Sequence, residues 1–285
     1  MKKILLFIIM INVLFLLPLQ SGWKTISIGG IGHVVGIKED GTLWGWGSNW
    51  QGELGLGKKS KEYYPIQILQ ENNWKSSSAG WNHTVVLAES GTIWASGNND
   101  YGQLGIGDFI EKFSFIQIGD DTNWKFISSK YYHTLAIKND GTLWAWGRND
   151  LGQIGDGTMV NKNSPVQIGK ENKWKFAAVG DKHSLAIADD GTLWSWGGNG
   201  YTQLGNNYKG NPITLPQQID NSRNWVYVVC GMNHSIAMKK DGSIWTFGDN
   251  VSGICGVGSH DLFVPVPTTV LDKSQTYFFV NAGNH

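Results

Sequence analysis

The sequence predicts an all-β fold of the β-propeller type, with blades of about 50 residues and four strands each. The first observation is a repeat in which one stretch of text returns every 50 or 51 residues. The second is composition: 38 glycines and 15 tryptophans in a chain with only 16% charged residues indicate tight turns between short strands packed by large rings. The histidine that opens each repeated stretch is His33, His83, His133, His183, His234 and His285.

The first 21 residues are predicted to be an export signal that lies outside the propeller. A basic head of Met1 to Lys3 precedes an apolar run from Ile4 to Leu19. This run is shorter than the roughly twenty residues that a membrane-spanning helix needs, which favours a cleaved signal with a cut near Ser21. An uncleaved N-terminal anchor is the open alternative. We therefore expect a secreted or cell-surface protein that contacts a membrane only through such an anchor.

Each repeat contains the signals of four strands. The first strand begins at a tryptophan, the second begins at the histidine and alternates apolar with small residues, and the third is a Leu-Trp-x-Trp run such as Leu193 to Trp196. The second and third strands are joined by turns that mostly end in Asp-Gly, such as Asp190-Gly191, a dipeptide that accepts the positive φ of tight hairpins. The fourth strand includes Pro165 to Ile168.

The repeats divide residues 22–285 into blades at about 23–73, 74–123, 124–173, 174–224 and 225–276, with a partial sixth at 277–285. The large rings of one column are expected to wedge between blades, where each buries about 150 to 250 Å². That column is Trp44, Trp94, Trp144, Trp194 and Trp245.

The segment from Gly141 to Gly157 reads GTLWAWGRNDLGQIGDG. It resembles the repeat of the regulator-of-chromosome-condensation family. The chain contains five copies of this pattern, and the resemblance covers residues 23–285. Departures are local: Ser96 and Phe247 replace the second tryptophan, Thr202 replaces a loop glycine and Lys130 replaces a strand-end glycine. The resemblance implies a closed ring of seven blades. Because this chain holds five full repeats and the start of a sixth, we expect an incomplete ring that forms an open arc, or a strained small ring.

The charge of the chain excludes two classes of partner. Formal net charge is zero, so no basic field would recruit nucleic acid or an anionic membrane surface.

In an exported protein the pair Cys230 and Cys255 could be expected to form a disulfide. Yet Cys230 falls in the column of Gly29, Ala79, Ser129 and Val179, and Cys255 falls in the apolar column of Leu54, Leu104, Ile154 and Leu204. Two buried thiols are therefore predicted.

Neither a catalytic nor a metal or cofactor site is predicted. A histidine that recurs in every blade answers a need of the repeat, most simply a hydrogen bond that fixes the strand or a neighbouring loop. The run Gly52 to Lys59 resembles a phosphate-binding loop only superficially, because Lys59 stands where that loop needs Ser or Thr. Acidic residues cluster at hairpin turns, so they form no paired-carboxylate site.

Function is expected where the repeats differ, and the residues directly before the histidine differ most. These residues lie on loops that radial symmetry gathers on one face, where aromatic and charged side chains anchor protein interfaces. The alternative is that they only plug the mouth of the channel. The candidate protein-binding residues are Trp81, Asn82, Tyr131, Tyr132, Asp181, Lys182 and Met232.

The leading interpretation is an exported, non-catalytic scaffold that binds a protein of unknown identity through one loop face. Secreted bacterial propellers that inhibit β-lactamases are a precedent at the level of fold. The founding member of the resembling family implies an alternative, guanine-nucleotide exchange on a small GTPase, but the even repeat spacing leaves no room for the insertion that the exchange factor uses. A second alternative is a propeller enzyme of unidentified class. Light sensing is a third alternative, because Gly80 to Thr84 resembles a motif of the plant UV-B photoreceptor. Position 82 opposes it, since this chain has Asn where that motif has arginine.

Overall fold

The computed structural model describes residues 22–71 and 73–270, and within them every regular element is a β-strand. The predicted signal segment 1–21 and the partial repeat 277–285 lie outside the described residues. Twenty strands form five sheets of four, and within each sheet the strands pair antiparallel in chain order. The prediction of an all-β propeller with four-stranded blades is confirmed. The part of the chain described contains no helix long and apolar enough to span a bilayer.

Each sheet is one blade, and its first strand lies innermost. Blade 1 consists of β1 (Trp23–Ile28), β2 (His33–Lys38), β3 (Leu43–Asn49) and β4 (Ser60–Gln67). Blade 2 consists of β5 (Trp74–Ala79), β6 (His83–Ala88), β7 (Ile93–Gly97) and β8 (Lys112–Gln117). Blade 3 consists of β9 (Trp124–Lys130), β10 (His133–Lys138), β11 (Leu143–Gly147) and β12 (Lys162–Ile168). Blade 4 consists of β13 (Trp174–Val179), β14 (His183–Ala188), β15 (Leu193–Asn199) and β16 (Gly210–Gln218). Blade 5 consists of β17 (Trp225–Cys230), β18 (His234–Lys239), β19 (Ile244–Asp249) and β20 (Phe263–Thr269).

The five blades form an open arc. Their innermost strands contact one another in chain order, from β1 through β5, β9 and β13 to β17. Among the described strands, β1 and β17 do not pair, so the two ends of the arc do not close the ring.

The hairpin between the second and third strands has the predicted Asp-Gly chemistry. In blade 4 the Asp190 carboxylate accepts hydrogen bonds from the Thr192 backbone N–H at 3.1 Å and hydroxyl at 2.7 Å. Gly191 has a φ of +83°, and a Cβ there would lie 2.2 Å from the Arg223 carbonyl oxygen, so only glycine fits this turn.

The core lies at the junctions between blades, where three tryptophan columns are buried to different depths. The column predicted to wedge between blades is the first tryptophan of Leu-Trp-x-Trp. In blades 2 to 5 its rings pack against the junctions but are only half-buried. In blades 3 to 5 the rings of the second column, Trp146, Trp196 and Phe247, are buried completely. Trp196 is 0% exposed and donates its indole N–H to the Gln153 carbonyl of blade 3 at 2.9 Å. The tryptophans that begin the first strands of blades 2 to 5 are buried to a similar depth, so the predicted column is the shallowest of the three.

The repeated histidines link each blade to the next. His133 Nε2 lies 2.9 Å from the Ser184 hydroxyl, and His183 Nε2 lies 2.9 Å from the Ser235 hydroxyl. Ser184 donates to the Gln153 carbonyl at 2.8 Å. A hydroxyl has one proton to donate, so the histidine Nε2 must donate to the serine oxygen. His33 bonds likewise to the Thr84 hydroxyl of blade 2, whereas His83 Nε2 lies 2.7 Å from the hydroxyl of Ser129, on the first strand of blade 3.

Burial keeps these rings neutral. It lowers the pKa of His133 and His183 to about 3 because a charged imidazole would lose its hydration there. Within the described residues, no group of three or more histidine, cysteine or acidic side chains is placed to hold a metal ion. The repeated histidine is thus a structural link between blades.

The prediction of two buried thiols is confirmed, since Cys230 and Cys255 are both free and buried. Burial raises the pKa of Cys230 to about 12 and that of Cys255 to about 11. The alignment around Cys230 needs one correction. Gly29 donates its backbone N–H to the His33 carbonyl, as Gly80 does to that of His83. The turn of blade 1 therefore holds one extra residue, and the true counterpart of Cys230 is Ile28.

Candidate functional site

Two sets of loops meet at one end of the blades, and together we call them the loop face. The first set joins the first and second strands, and the second set follows the third strand. Backbone hydrogen bonds join the two sets: Arg148 N–H donates to the Tyr132 carbonyl at 2.9 Å, and Asn98 N–H donates to the Asn82 carbonyl at 2.9 Å. The residue before each histidine therefore lies beside the residue after the third strand.

The second set of loops is rigid because an asparagine is bonded at its centre. Asn149 is fully buried, and its side-chain oxygen accepts from the Ile154 N–H at 2.9 Å. Its side-chain nitrogen donates to the carbonyls of Thr158 and Val160, both at 3.1 Å. The corresponding asparagine of every other blade bonds in the same way. Side chains beside it are thus presented from a fixed backbone.

Trp81 and Tyr131 form a stacked pair on this face. Their ring centroids are 5.3 Å apart at an interplanar angle of 12°. The backbone N–H of Trp81 donates to the Tyr131 carbonyl at 2.8 Å, and this bond joins the two loops. On its other side Trp81 lies against Gly30, where an added Cβ would be 2.2 Å from the indole ring. Trp81 is half-buried, whereas Tyr131 is 4% exposed.

Tyr131 has an unusual conformation for a ring-bearing residue. Its φ is +50°, in the left-handed region that favours glycine. Burial, with the nearby Asp181 carboxylate as a smaller cause, raises the pKa of its hydroxyl to about 12. Within the described residues that hydroxyl has no hydrogen-bond partner. Strained backbone and an unpaired buried polar group are features that concentrate at functional sites.

Beside this pair lies an arginine whose guanidinium contacts two adjacent tyrosine rings. The Arg148 guanidinium carbon is 5.2 Å from the Tyr101 ring centroid and 5.8 Å from that of Tyr132. The two tyrosine rings are 5.1 Å apart and tilted by 58°. Arg148 also donates to the Asp150 carboxylate at 2.6 Å, and this contact helps to hold the pKa of that carboxyl below its ordinary value. The arginine is therefore held in place by two rings and one carboxylate.

Asp181 adds a carboxylate to the same region. Burial raises its pKa, although the Lys182 ammonium at 3.8 Å and Arg148 act in the opposite direction. Its field also reaches Tyr131, Tyr132 and Arg148, whose pKa values it helps to raise. Five of the candidate residues thus lie in one electrostatically coupled region: Trp81, Tyr131, Tyr132, Asp181 and Lys182.

The other two candidates are placed differently. Asn82 is 8% exposed, and its side-chain nitrogen donates to the Gln51 side-chain oxygen of blade 1. Met232 is half-buried at the matching position of blade 5. Within the described residues it has no ring contact, hydrogen bond or ion pair with the cluster around Arg148.

Sequence reasoning missed Tyr101, Arg148 and Asp150. They lie in the second set of loops, 15 to 32 residues along the chain from His133, whose turn they approach. A signal was present, because the position after the third-strand glycine also differs in every repeat. It holds Ser48, Asn98, Arg148, Gly198 and Asp249.

The innermost strands of blades 3 to 5 line a cavity of about 170 Å³. Ring contacts run from Phe126 to Phe176 at 4.9 Å and from Phe176 to Tyr227 at 4.8 Å. Lys130, which replaces the strand-end glycine, crosses this space and donates to the Cys230 carbonyl at 2.7 Å. This lysine therefore ties blade 3 to blade 5 across the inner side of the arc.

Comparison with known proteins agrees with the architecture. A 73-residue segment is 34% identical to the Protein RCC2 homolog of Xenopus laevis, and it covers 25% of this chain but only 14% of that protein. The chain is similar in structure to human WBSCR16, with a TM-score of 0.82 and 21% identity over 94% of this chain and 72% of that one. It is also similar to yeast RCC1 (Prp20) in its crystal structure with Kap60, with a TM-score of 0.73 and 20% identity over 92% of this chain and 78% of that chain. At these identities the structural likeness shows the fold.

The family of the chain is shown by a match to a protein-family model over most of its length. Residues 17–285 match the model of the RCC1-like domain, in agreement with the five blades and their glycine-rich loops. The chain therefore belongs to the RCC1-like domain family.

Proposed function

We propose that this protein is an exported, non-catalytic scaffold that binds a partner protein through the loop face of blades 2 to 4. The observation that carries the proposal is the Tyr101–Arg148–Tyr132 cluster. Its side chains belong to columns that vary between repeats, so the fold does not require them. Tyrosine and arginine are also the side chains that dominate the binding energy of protein interfaces.

Fixed geometry supports the same proposal. The stacked Trp81 ring and the guanidinium of Arg148 are already held by neighbours before any partner arrives. A partner would therefore lose little side-chain entropy from this surface on binding, which raises the affinity that a given contact area yields. The half-buried Asp181 carboxylate adds a polar group that a partner can satisfy.

Protein binding also has a precedent within the fold. Yeast RCC1, to which this chain is similar in structure, was crystallised with the protein Kap60. We carry over only the mode of action, a propeller that holds another protein.

The test is capture of binding partners from secreted and surface proteins of the source organism by the purified chain. The double variant Tyr132→Ala with Arg148→Ala should lose the captured partner, because it removes half-buried side chains that anchor the face. The matched control is Tyr63→Ala with Tyr64→Ala, which removes two rings that are 76% and 80% exposed on β4, the outermost strand of blade 1. Near-ultraviolet circular dichroism verifies the fold of each variant. A partner that both variants retain would place the binding surface elsewhere.

Export needs a separate test. Residues 1–21 fused to a phosphatase that is active only outside the cytoplasm should give an active reporter, and deletion of Ile4 to Leu19 should abolish the activity. An inactive full fusion would reject export and leave the binding proposal to be judged on the capture experiment alone.

A further inference from the structure

At the end opposite the loop face, blades 3 and 5 each carry two tryptophan rings that contact one lysine, and we call this arrangement the lysine cage. In blade 3 the Lys138 ammonium is 4.7 Å from the Trp124 ring centroid and 4.2 Å from that of Trp144. In blade 5 Lys239 lies in the same way, 4.5 and 4.2 Å from two tryptophan rings. Each ammonium is thus held between two indole faces, the geometry of a strong cation–π interaction.

A polar group from the connection before the blade completes the lysine cage. Asp121, three residues before Trp124, binds Lys138 at 2.8 Å. Ser222, three residues before Trp225, accepts from Lys239 at 3.3 Å. With this partner Lys138 is only 8% exposed, so the lysine cage stabilises an ammonium that has lost most of its hydration.

Blade 2 has the same walls but no lysine of its own. Trp74 and Trp94 form the pair, with centroids 6.4 Å apart and rings at 85°. Glu71, three residues before Trp74, takes the position of Asp121. Ala88 stands where blade 3 has Lys138, and a cavity of about 330 Å³ bounded by all four of these residues lies there.

We propose that this cavity binds an alkylammonium group, carried by a lysine side chain of a peptide or by a free quaternary ammonium compound. Two indole faces and one carboxylate are a recognition set for such a cation, and blade 3 shows that this fold places an ammonium among the same groups. The cavity volume is within the range of small-ligand sites. The site lies at the end of the blade opposite the loop face and is independent of that face.

Blade 4 is a weaker candidate although Ala188 also replaces the lysine there. Glu171 again stands three residues before the first tryptophan, but Lys170 lines the adjoining cavity beside it. A cation of the protein itself next to the carboxylate reduces the attraction for a second cation. In blade 2 the corresponding residue is Gln70.

The test is calorimetric titration of the full chain with choline, with its uncharged isostere 3,3-dimethylbutanol, and with N-acetyl-lysine methylamide in unmethylated and trimethylated form. Choline should bind with a Kd on the order of a millimolar, and the uncharged isostere should bind about tenfold more weakly. Chemical-shift changes of the Trp74 and Trp94 indole N–H groups, assigned with Trp94→Phe, locate the site. Tighter binding of either lysine compound than of choline would identify a peptide as the source, and the reverse order would identify a free compound.

Two variants make the result specific to blade 2. Ala88→Lys reproduces the lysine cage of blade 3 and should abolish binding. Glu71→Gln changes an exposed side chain without changing its shape and should weaken binding about twofold to fivefold. The reciprocal variant Lys138→Ala should create a second ammonium site in blade 3. Equal binding of choline and its uncharged isostere, binding that survives Ala88→Lys, or no binding of any of the cations would overturn the proposal.

Discussion

The junction between blades 3 and 4 contains the histidine-to-hydroxyl link that recurs at the other junctions, whereas the loop face above it differs in every repeat. At the junction, the His133 imidazole, the Ser184 hydroxyl and the Trp196 indole are fully buried and hydrogen-bonded between blades. On the loop face, Tyr132 and Arg148 lie in columns that hold other residue types in the other repeats. The difference teaches that a repeated residue serves its own unit, while a varied residue is available to a partner.

The largest expected effect concerns the histidine links and pH. The buried rings of His83, His133 and His183 have a pKa of about 3, against 6.5 for an exposed histidine. As pH falls below 6.5, the unfolded chain binds protons that the folded chain does not, so stability is lost down to the folded pKa. Well below pH 6.5, each of these histidines should cost about 1.4 kcal/mol per pH unit.

Urea unfolding at a series of pH values between neutral and mildly acidic measures this slope. His183→Gln should lower the slope by the share of one histidine. A free energy of unfolding that stays constant over that range would show that the imidazoles are not kept neutral by burial.

The next effect tests Trp196, a tryptophan that is fully buried at a junction between blades. Trp196→Ala removes a 0% exposed ring and an indole hydrogen bond between blades, so the free energy of unfolding should fall by about 3 to 5 kcal/mol. The matched change on the loop face, Trp50→Ala, removes a ring that is 59% exposed and should shift stability by no more than about 0.5 kcal/mol. Denaturant unfolding of both variants checks the contrast, and similar losses would abolish the distinction between junction and face.

The third effect, smaller than that of the junction tryptophan, is expected for the cluster around Arg148 on the loop face. Arg148→Ala removes one partly exposed ion pair and two ring contacts, so it should cost less than about 1 kcal/mol. Thermal unfolding measures the change. A loss on the scale of Trp196→Ala would mean that Arg148 belongs to the structural core, and the binding proposal would lose its main support.

Most of the fold could be predicted from the sequence because a repeated unit reports its own requirements several times. The Asp-Gly turns, the strand that begins at each histidine and the burial of both cysteines all follow from columns that agree between repeats. The extra residue in the turn of blade 1 was missed because counting back from His33 hides it, and only the hydrogen bond of Gly29 shows the offset.

The site was predictable in part. The column before the histidine indicated Trp81, Tyr132 and Asp181, because neighbours along the chain are neighbours on the loop. Arg148 could not be placed beside Tyr132 from that column, since the backbone hydrogen bond that joins them connects two different loops. The sequence also could not show which tryptophan of Leu-Trp-x-Trp lies deeper. In blades 3 and 4 the second one does, and its indole N–H reaches a carbonyl of the preceding blade.

The histidine link also bears on how such a chain can change its number of blades. A repeat such as residues 174–224 carries both halves of the link, the imidazole of His183 that donates forward and the hydroxyl of Ser184 that accepts from behind. A copy of it inserted beside the original would find matching partners on both sides without any further substitution. Blade 1 lacks this property, because Val34 stands in place of the hydroxyl residue. Duplication of interior repeats is therefore the route by which this architecture can lengthen in evolution or in the laboratory.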